Sequence, residues 1–108
     1  MIARVWHGRT PREAADKFHA YIRRTGEADF RATPGNRGGL VLRRTVGEVV
    51  EFWMISLWDG VEAIRSFAGP DIDRAHYPYP RDREFLLELE PTVSHYEVLS
   101  LFGLLPNS

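Results

Sequence analysis

The sequence has no cysteine, and Lys17 is its single lysine among 108 residues. Without cysteine, disulfides, thiolate catalysis and cysteine-bound zinc or iron–sulfur sites are excluded. The formal net charge is −1, so there is no basic field to attract nucleic acid or an anionic membrane. The four histidines lack the short spacing of metal-binding motifs, and we therefore predict no metal site.

Long apolar runs are also missing. The longest apolar-rich stretches, Phe52 to Leu57 and Val98 to Leu105, fall far short of the ~18 residues needed to cross a bilayer. No signal-peptide pattern is visible, so we expect a cytoplasmic location. The balance of 44% hydrophobic and 27% charged residues is ordinary for a globular protein. We predict one domain over residues 1–108, with an apolar tail from about residue 100.

The stretch from Glu48 to Phe67 predicts a buried strand followed directly by a helix. The strand is apolar on both faces, apart from Ser56 on one face and Glu51 on the other. One apolar set is Val50, Phe52, Met54 and Trp58, and the other is Val49, Trp53, Ile55 and Leu57. A strand of this kind must be covered twice, and the chain's helices can supply one cover. We predict that a second copy of the protein supplies the other, as a two-fold homodimer.

The remaining segments predict the order strand, helix, strand, strand, helix, strand. The strands are expected at residues 2–7, 40–44, about 48–58 and 92–99, the helices at 11–25 and about 60–68, and a loop at 27–39. Thr10, Pro11 and Glu13 suggest a capped helix start, and Asp59 suggests a second cap. This is the ferredoxin-like βαββαβ arrangement, an α+β fold with a four-stranded antiparallel sheet and two helices on one face.

Where two such sheets diverge, they leave space between them. We predict a mostly apolar cavity at the sheet-to-sheet interface of the dimer, suited to a small apolar or aromatic ligand. A solid interface without a cavity agrees equally well with the sequence.

Four stretches resemble one known family. They are Ile2-Ala-Arg-Val-Trp-His-Gly8, Thr33-Pro-Gly-Asn-Arg-Gly38, Ser56-Leu-Trp-Asp59 and Leu89-Glu-Pro-Thr-Val-Ser-His-Tyr-Glu97. On these residues the chain resembles the antibiotic biosynthesis monooxygenase-like family of dimeric α+β barrels. The resemblance implies oxidation of phenolic or quinol-like substrates without metal, flavin or haem. The substrate's own anion would react with oxygen, while the protein orients it, transfers protons and excludes water.

Haem-degrading members of the superfamily use an asparagine on the first strand, with a tryptophan and a histidine from the second helix and the segment after it. The corresponding residues here are Trp6 or His7, then Phe67, and then His76. Because two of the three differ, we disfavour haem degradation and predict no cofactor.

His76 and Tyr77 stand in a segment broken by prolines, where the superfamily closes its pocket. We predict acid–base roles for His76, Tyr77 and His7, against the plainer interpretation of exposed or edge residues. Trp6 and His7 lie on opposite faces of one strand, so one of them can face a cavity, and His7 is favoured. The same parity separates His95 from Tyr96. The predicted substrate contacts are Trp6, Trp58, Phe67, His95 and Tyr96.

Arg4 and Glu51 are charges on otherwise apolar strands, and a pair between strands or across the dimer would explain both. The predicted function is a cofactor-independent, monooxygenase-like enzyme acting on a small aromatic or polycyclic metabolite. The alternatives are a non-catalytic small-molecule binding protein of the same fold and a structural dimer whose barrel is filled.

Overall fold

The computed structural model describes residues 1–103, so the expected tail residues Leu104 and Leu105 lie outside the described chain. The four strands are β1 Ile2–Pro11, β2 Asn36–Val46, β3 Val49–Trp58 and β4 Ser94–Glu97. The four α-helices are α1 Ala15–Arg24, α2 Gly26–Ala32, α3 Val61–Ala68 and α4 Asp82–Phe85, and a 3-10 turn, Arg12–Ala14, precedes α1. No helix within residues 1–103 is long and apolar enough to span a membrane.

The strands form one antiparallel sheet in the order β2-β3-β1-β4, with β3 and β1 at its centre. Helices pack on one face of this sheet, and their apolar side chains meet β3 in a single core. The predicted ferredoxin-like α+β fold is therefore confirmed. The pairing of β1 with both β3 and β4 follows from the split-βαβ connectivity.

Strand β3 has two different faces, as its sequence predicted. The side chains at positions 50, 52, 54, 56 and 58 are buried under the helices, with Phe52 and Trp58 fully inaccessible. Those at positions 49, 51, 53, 55 and 57 are half-buried in the single chain. On the same helix-free face, Leu40 and Leu42 of β2 are 48% and 45% exposed. The apolar side chains of this face are therefore covered only in part within one chain.

Two groups of aromatic rings hold the helices to the sheet. Phe18 of α1 lies 5.0 Å from Phe52 and 5.8 Å from Phe85, measured between ring centroids. On the other side, Phe30 of α2 lies 5.9 Å from Trp58 and 4.8 Å from Phe67. Burial of one such ring contributes roughly 1.5–3 kcal/mol to folding. The space between the two groups becomes the candidate site.

Several local predictions were wrong. The second strand spans Asn36–Val46 instead of residues 40–44, and the last strand is confined to Ser94–Glu97 instead of 92–99. Strand β1 continues to Pro11, because Thr10 pairs with Val50 of β3, and its hydroxyl donates to the Pro11 carbonyl instead of capping a helix. Residues 26–32 are helical rather than a loop, since Phe30 there packs, partly buried, against the rings of Trp58 and Phe67. Asp59 binds Arg37 at 2.5 Å and does not cap α3. In these last three cases a tertiary contact overrides a local signal.

Gly39 lies beside the irregularity in the β2–β3 pairing, and its lack of a side chain is required there. A Cβ atom at this position would lie 2.3 Å from the Ile55 carbonyl oxygen, which belongs to the central strand and cannot move aside cheaply. At Gly60, whose φ of 179° is ordinary extended backbone, a Cβ atom would meet nothing within 4 Å.

We expect Gly39→Ala to lower the free energy of unfolding by about 1–3 kcal/mol, because the clash displaces backbone. Gly60→Ala is the matched control and should change it by less than about 0.5 kcal/mol. Urea denaturation monitored by circular dichroism measures both. Equal stability of the two variants would contradict the described β2–β3 packing.

Candidate functional site

The candidate site is a pocket between the helix side of the sheet and the helices. Its walls are largely apolar and include Trp6, Phe18, Ile22, Met54, Phe67 and Leu86. Its polar groups are contributed by Arg4, Thr25, His76, Tyr77, Tyr79 and Asp82. The cavity was expected between two sheets, but this pocket lies on the opposite side and within one chain. The register explains its position, because Trp6 pairs with Met54 and both face the helices.

The pocket is small in its present form. Its cavity volume is about 70 Å³, well below the roughly 300 Å³ at which typical ligand pockets begin. A second, larger groove of about 620 Å³ lies between α1, α2 and the edge strand β2. Phe30 and Met54 line both spaces and therefore form the partition between them.

Tyr77, in the loop between α3 and α4, is hydrogen-bonded to strand β1. The Trp6 indole N–H donates to the Tyr77 hydroxyl at 3.0 Å, and that hydroxyl donates to the Glu90 carbonyl at 2.7 Å. Burial is the main cause that raises the pKa of Tyr77. Its proton is thus held by a main-chain acceptor, and this arrangement suits Tyr77 to positioning the wall rather than to taking up a proton.

Asp82, at the start of α4, is the acidic group of the pocket and is 7% exposed. Burial raises the pKa of its carboxyl, and the attraction of Tyr21 and Arg83 opposes that rise only in part. The Tyr79 hydroxyl is buried and meets no hydrogen-bond partner in the described chain, whereas the Tyr21 hydroxyl lies close to the Asp82 carboxyl. The rings of Tyr79 and Tyr21 stand edge to face, with centroids 6.4 Å apart. A buried hydroxyl without a hydrogen bond lowers the stability of the folded protein, so this corner of the pocket is suited to a ligand with a polar group.

Arg4 enters the same pocket from β1. Its guanidinium donates to the main-chain carbonyls of Ile72 and Arg74, the latter at 3.1 Å, and to His95 Nε2 at 3.0 Å. His95 Nδ1 lies 3.2 Å from Asp73 Oδ1. Burial lowers the pKa of Arg4 to about 10, although the Asp73 charge acts in the other direction. Arg4 does not pair with Glu51, because the two side chains lie on opposite faces of the sheet.

His76 lies at the mouth of the pocket and is exposed, with its ring centroid 5.6 Å from that of Phe67. Of the residues predicted from the sequence, the pocket brings together Trp6, Phe67, His76 and Tyr77. Trp58 is packed beneath it, where its indole N–H donates to Ser56 at 2.9 Å. His95 acts through Arg4 and does not line the pocket.

His7 and Tyr96 lie on the helix-free face instead. His7 Nδ1 is 2.6 Å from Glu90 Oε2, and its ring is 4.2 Å from that of Trp53. Its Nε2 lies 3.3 Å from Glu51 Oε2. Parity therefore places Trp6, and not the favoured His7, in the pocket. Tyr96 pairs with Ala3 at the sheet edge and is exposed.

Four polar residues of the pocket were not predicted as site residues: Arg4, Thr25, Tyr79 and Asp82. Arg4 was noticed only as a charge on an apolar strand, whereas Tyr79 and Asp82 carry no motif. Their burial arises from the docking of α4 against Tyr21 of α1, and the rings of Tyr21 and Phe85 lie 5.2 Å apart. A buried acid beside prolines has no sequence signal that separates it from an exposed one.

No family model and no curated protein matches the sequence. Solved structures do match. One is MhuD, a haem degrader from Mycobacterium tuberculosis with two haems bound in its active site, at 18% identity and a TM-score of 0.64 over 95% of this chain and 100% of that one. Another is a Bacillus cereus protein provisionally assigned as an antibiotic biosynthesis monooxygenase, at 17% identity and a TM-score of 0.63 over 97% of each chain.

The chain has the antibiotic biosynthesis monooxygenase-like fold. The resemblance predicted from the sequence is thereby confirmed for the fold. At these identities the comparison concerns architecture, and the chemistry of this monooxygenase-like fold depends on the residues of its own pocket.

Acid should destabilise the protein through His95. Burial, and then the Arg4 charge, lower the pKa of this histidine below its ordinary 6.5. The unfolded chain therefore binds a proton at a higher pH than the folded chain does. The stabilising contribution is complete above the unfolded pKa and is lost as pH falls through 6.5 towards the lower folded value.

We expect the free energy of unfolding in urea to decrease between about pH 7.5 and about pH 5.5, and to decrease less in His95→Gln. His19→Gln, on the exposed face of α1, is the control and should keep the wild-type slope. A His95→Gln slope that equals the wild-type slope would contradict the Arg4–His95–Asp73 arrangement.

Proposed function

We propose that this protein is an oxygenase that acts on a small phenolic aromatic molecule in the helix-side pocket. One observation carries the proposal: a buried carboxyl with a raised pKa, Asp82, stands with the unpaired Tyr79 hydroxyl in an otherwise apolar pocket. A carboxylate of raised pKa is a stronger base, and an apolar site of this kind is suited to proton abstraction. The similarity of the fold to that of a provisionally assigned monooxygenase also supports an oxygenase function.

The reaction conserves atoms and electrons. Asp82 takes the phenol proton, the phenolate donates an electron pair to O₂, and a C–O bond forms at the para carbon as a hydroperoxide. Loss of the para C–H proton and cleavage of the O–O bond then release water and leave a quinone. Oxygen is reduced by four electrons and the ring is oxidised by four. The apolar walls exclude water from this sequence.

Entry of a ring requires more space than the present cavity offers. Met54 has a flexible, unbranched side chain, and Phe30 is the other half of the partition with the larger groove. Movement of these two side chains would join the two spaces and reach the size typical of ligand pockets, roughly 300–1,000 Å³.

Haem is the second candidate, because one fold neighbour is a haem degrader and His76 presents an exposed imidazole at the pocket mouth. The present cavity of about 70 Å³ does not fit a porphyrin. Trp6 and Phe67 also occupy the positions where the resemblance calls for asparagine and tryptophan. The proposed reaction therefore does not use haem, and haem binding is one outcome of the test below.

We also propose that the protein works as a homodimer through the helix-free face. Trp53, Ile55 and Leu57 of β3 are half-buried there, and Leu40 and Leu42 of β2 are exposed beside them. A second copy laid on this face would remove that apolar surface from water. Pairing there leaves the helix-side pocket of each chain free for its ligand.

With 1-naphthol as the probe, we expect O₂ uptake equal to the substrate consumed and one oxygen atom from ¹⁸O₂ in the naphthoquinone formed. Asp82→Asn should lower kcat by roughly 100-fold or more, because the base is lost. The wild-type rate should fall as acid protonates Asp82, whose pKa is raised. An oxygen electrode and mass spectrometry measure these quantities.

Glu84→Gln is the matched control, since this acid is exposed on the same short helix; its rate should equal the wild-type rate. Saturable binding of 1-naphthol without O₂ uptake would instead identify a binding protein. A Soret band on haem addition that is lost in His76→Ala would favour the haem candidate.

A further inference from the structure

Arg4 is a buried charge without a carboxylate partner. It is 3% exposed, and within residues 1–103 no carboxylate oxygen lies within 4.0 Å of its guanidinium. The Asp73 carboxylate acts on it from a greater distance and contacts His95 instead. Buried charges in proteins are normally paired, because desolvation without a counter-ion is costly.

The guanidinium also has unused donors. It carries five N–H groups, and its three hydrogen bonds all come from Nη1 and Nη2. The Nε–H group and one other N–H therefore donate to no described residue.

The surroundings of Arg4 fix its orientation without neutralising its charge. Because a guanidinium only donates, His95 Nε2 must accept, which places the His95 proton on Nδ1 facing Asp73. Two main-chain carbonyls hold the other side. A pre-oriented guanidinium with free N–H groups is the arrangement that proteins use to bind carboxylates and other oxyanions.

We propose that Arg4 binds an oxyanion of the ligand, so that the ligand is an aromatic molecule with a carboxylate or phenolate on its ring. This rests on the proposed function in that it concerns the same pocket, and it adds the charge of the ligand and the residue that selects it.

The test uses benzoate and its neutral isostere benzamide, chosen as single rings for a small pocket. We expect the wild-type protein to bind benzoate roughly tenfold or more tightly than benzamide, since charge-assisted hydrogen bonds are the stronger ones. In Arg4→Gln this preference should fall to about onefold. Arg9→Gln is the control, because Arg9 lies on the same strand but pairs with Glu88 on the other face.

A second readout covers the case in which Arg4→Gln does not fold. In the wild-type protein, the ¹⁵N-edited resonance of Arg4 Nε–H should shift on benzoate addition and stay in place with benzamide. No preference for benzoate, no binding of either probe, or an unchanged Nε–H resonance would overturn the inference. If 1-naphthol is oxidised but benzoate is not preferred, the role of Arg4 is wrong and the proposed oxygenase function is retained. If benzoate is preferred in an Arg4-dependent way but 1-naphthol is not oxidised, the role of Arg4 is retained and the proposed oxygenase function is wrong.

Discussion

The structure depends on a single strand that is apolar on both faces. Strand β3 pairs with β1 on one side and β2 on the other, so it cannot leave the centre of the sheet. Its even-numbered side chains pack under the helices and its odd-numbered side chains face the opposite way. Because successive side chains of a strand point to opposite faces, a shift of the strand register would only exchange the two apolar sets and would still leave one of them facing away from the helices. Two covers are needed, and one chain provides the first.

The helix-covered face of the sheet also carries the candidate pocket. Trp6 and Arg4 of β1 share this face with Met54, and the helices bring Phe18 and Phe67 over it. The rings leave a gap, and polar groups enter the gap from two ends: Arg4 from the sheet and Asp82 with Tyr79 from the segment after the prolines. In the proposed reaction, Asp82 would act as the base, and the charge of Arg4 would favour an anionic ligand in the same apolar pocket.

The opposite face has a different character. Its charged groups satisfy one another, since Arg44 binds Glu51 at 2.7 Å, His7 binds Glu90 at 2.6 Å and Arg9 binds Glu88 at 2.7 Å. These pairs surround half-buried apolar side chains, and this mixture is typical of an interface between protein copies. The proposed ligand pocket and the proposed homodimer interface therefore lie on opposite faces of the sheet.

Sequence reasoning reached the fold because strand period and element order are local patterns. It found that Trp6 and His7 must face opposite ways, but not which of them faces inward, since this is set by the pairing of Trp6 with Met54. It missed Asp82, whose burial depends on the docking of α4, and it could not foresee that Arg4 binds carbonyls 68 and 70 residues away. Long-range contacts of this kind leave no periodicity in the sequence.

The most direct measurement of this account is the mass of the wild-type protein in solution, by sedimentation equilibrium at micromolar concentration. If the second face of β3 is covered by another copy, the mass will be twice the 12.4 kDa of one chain. A folded species with the mass of one chain at the same concentration would contradict the claim that this strand is covered on both sides.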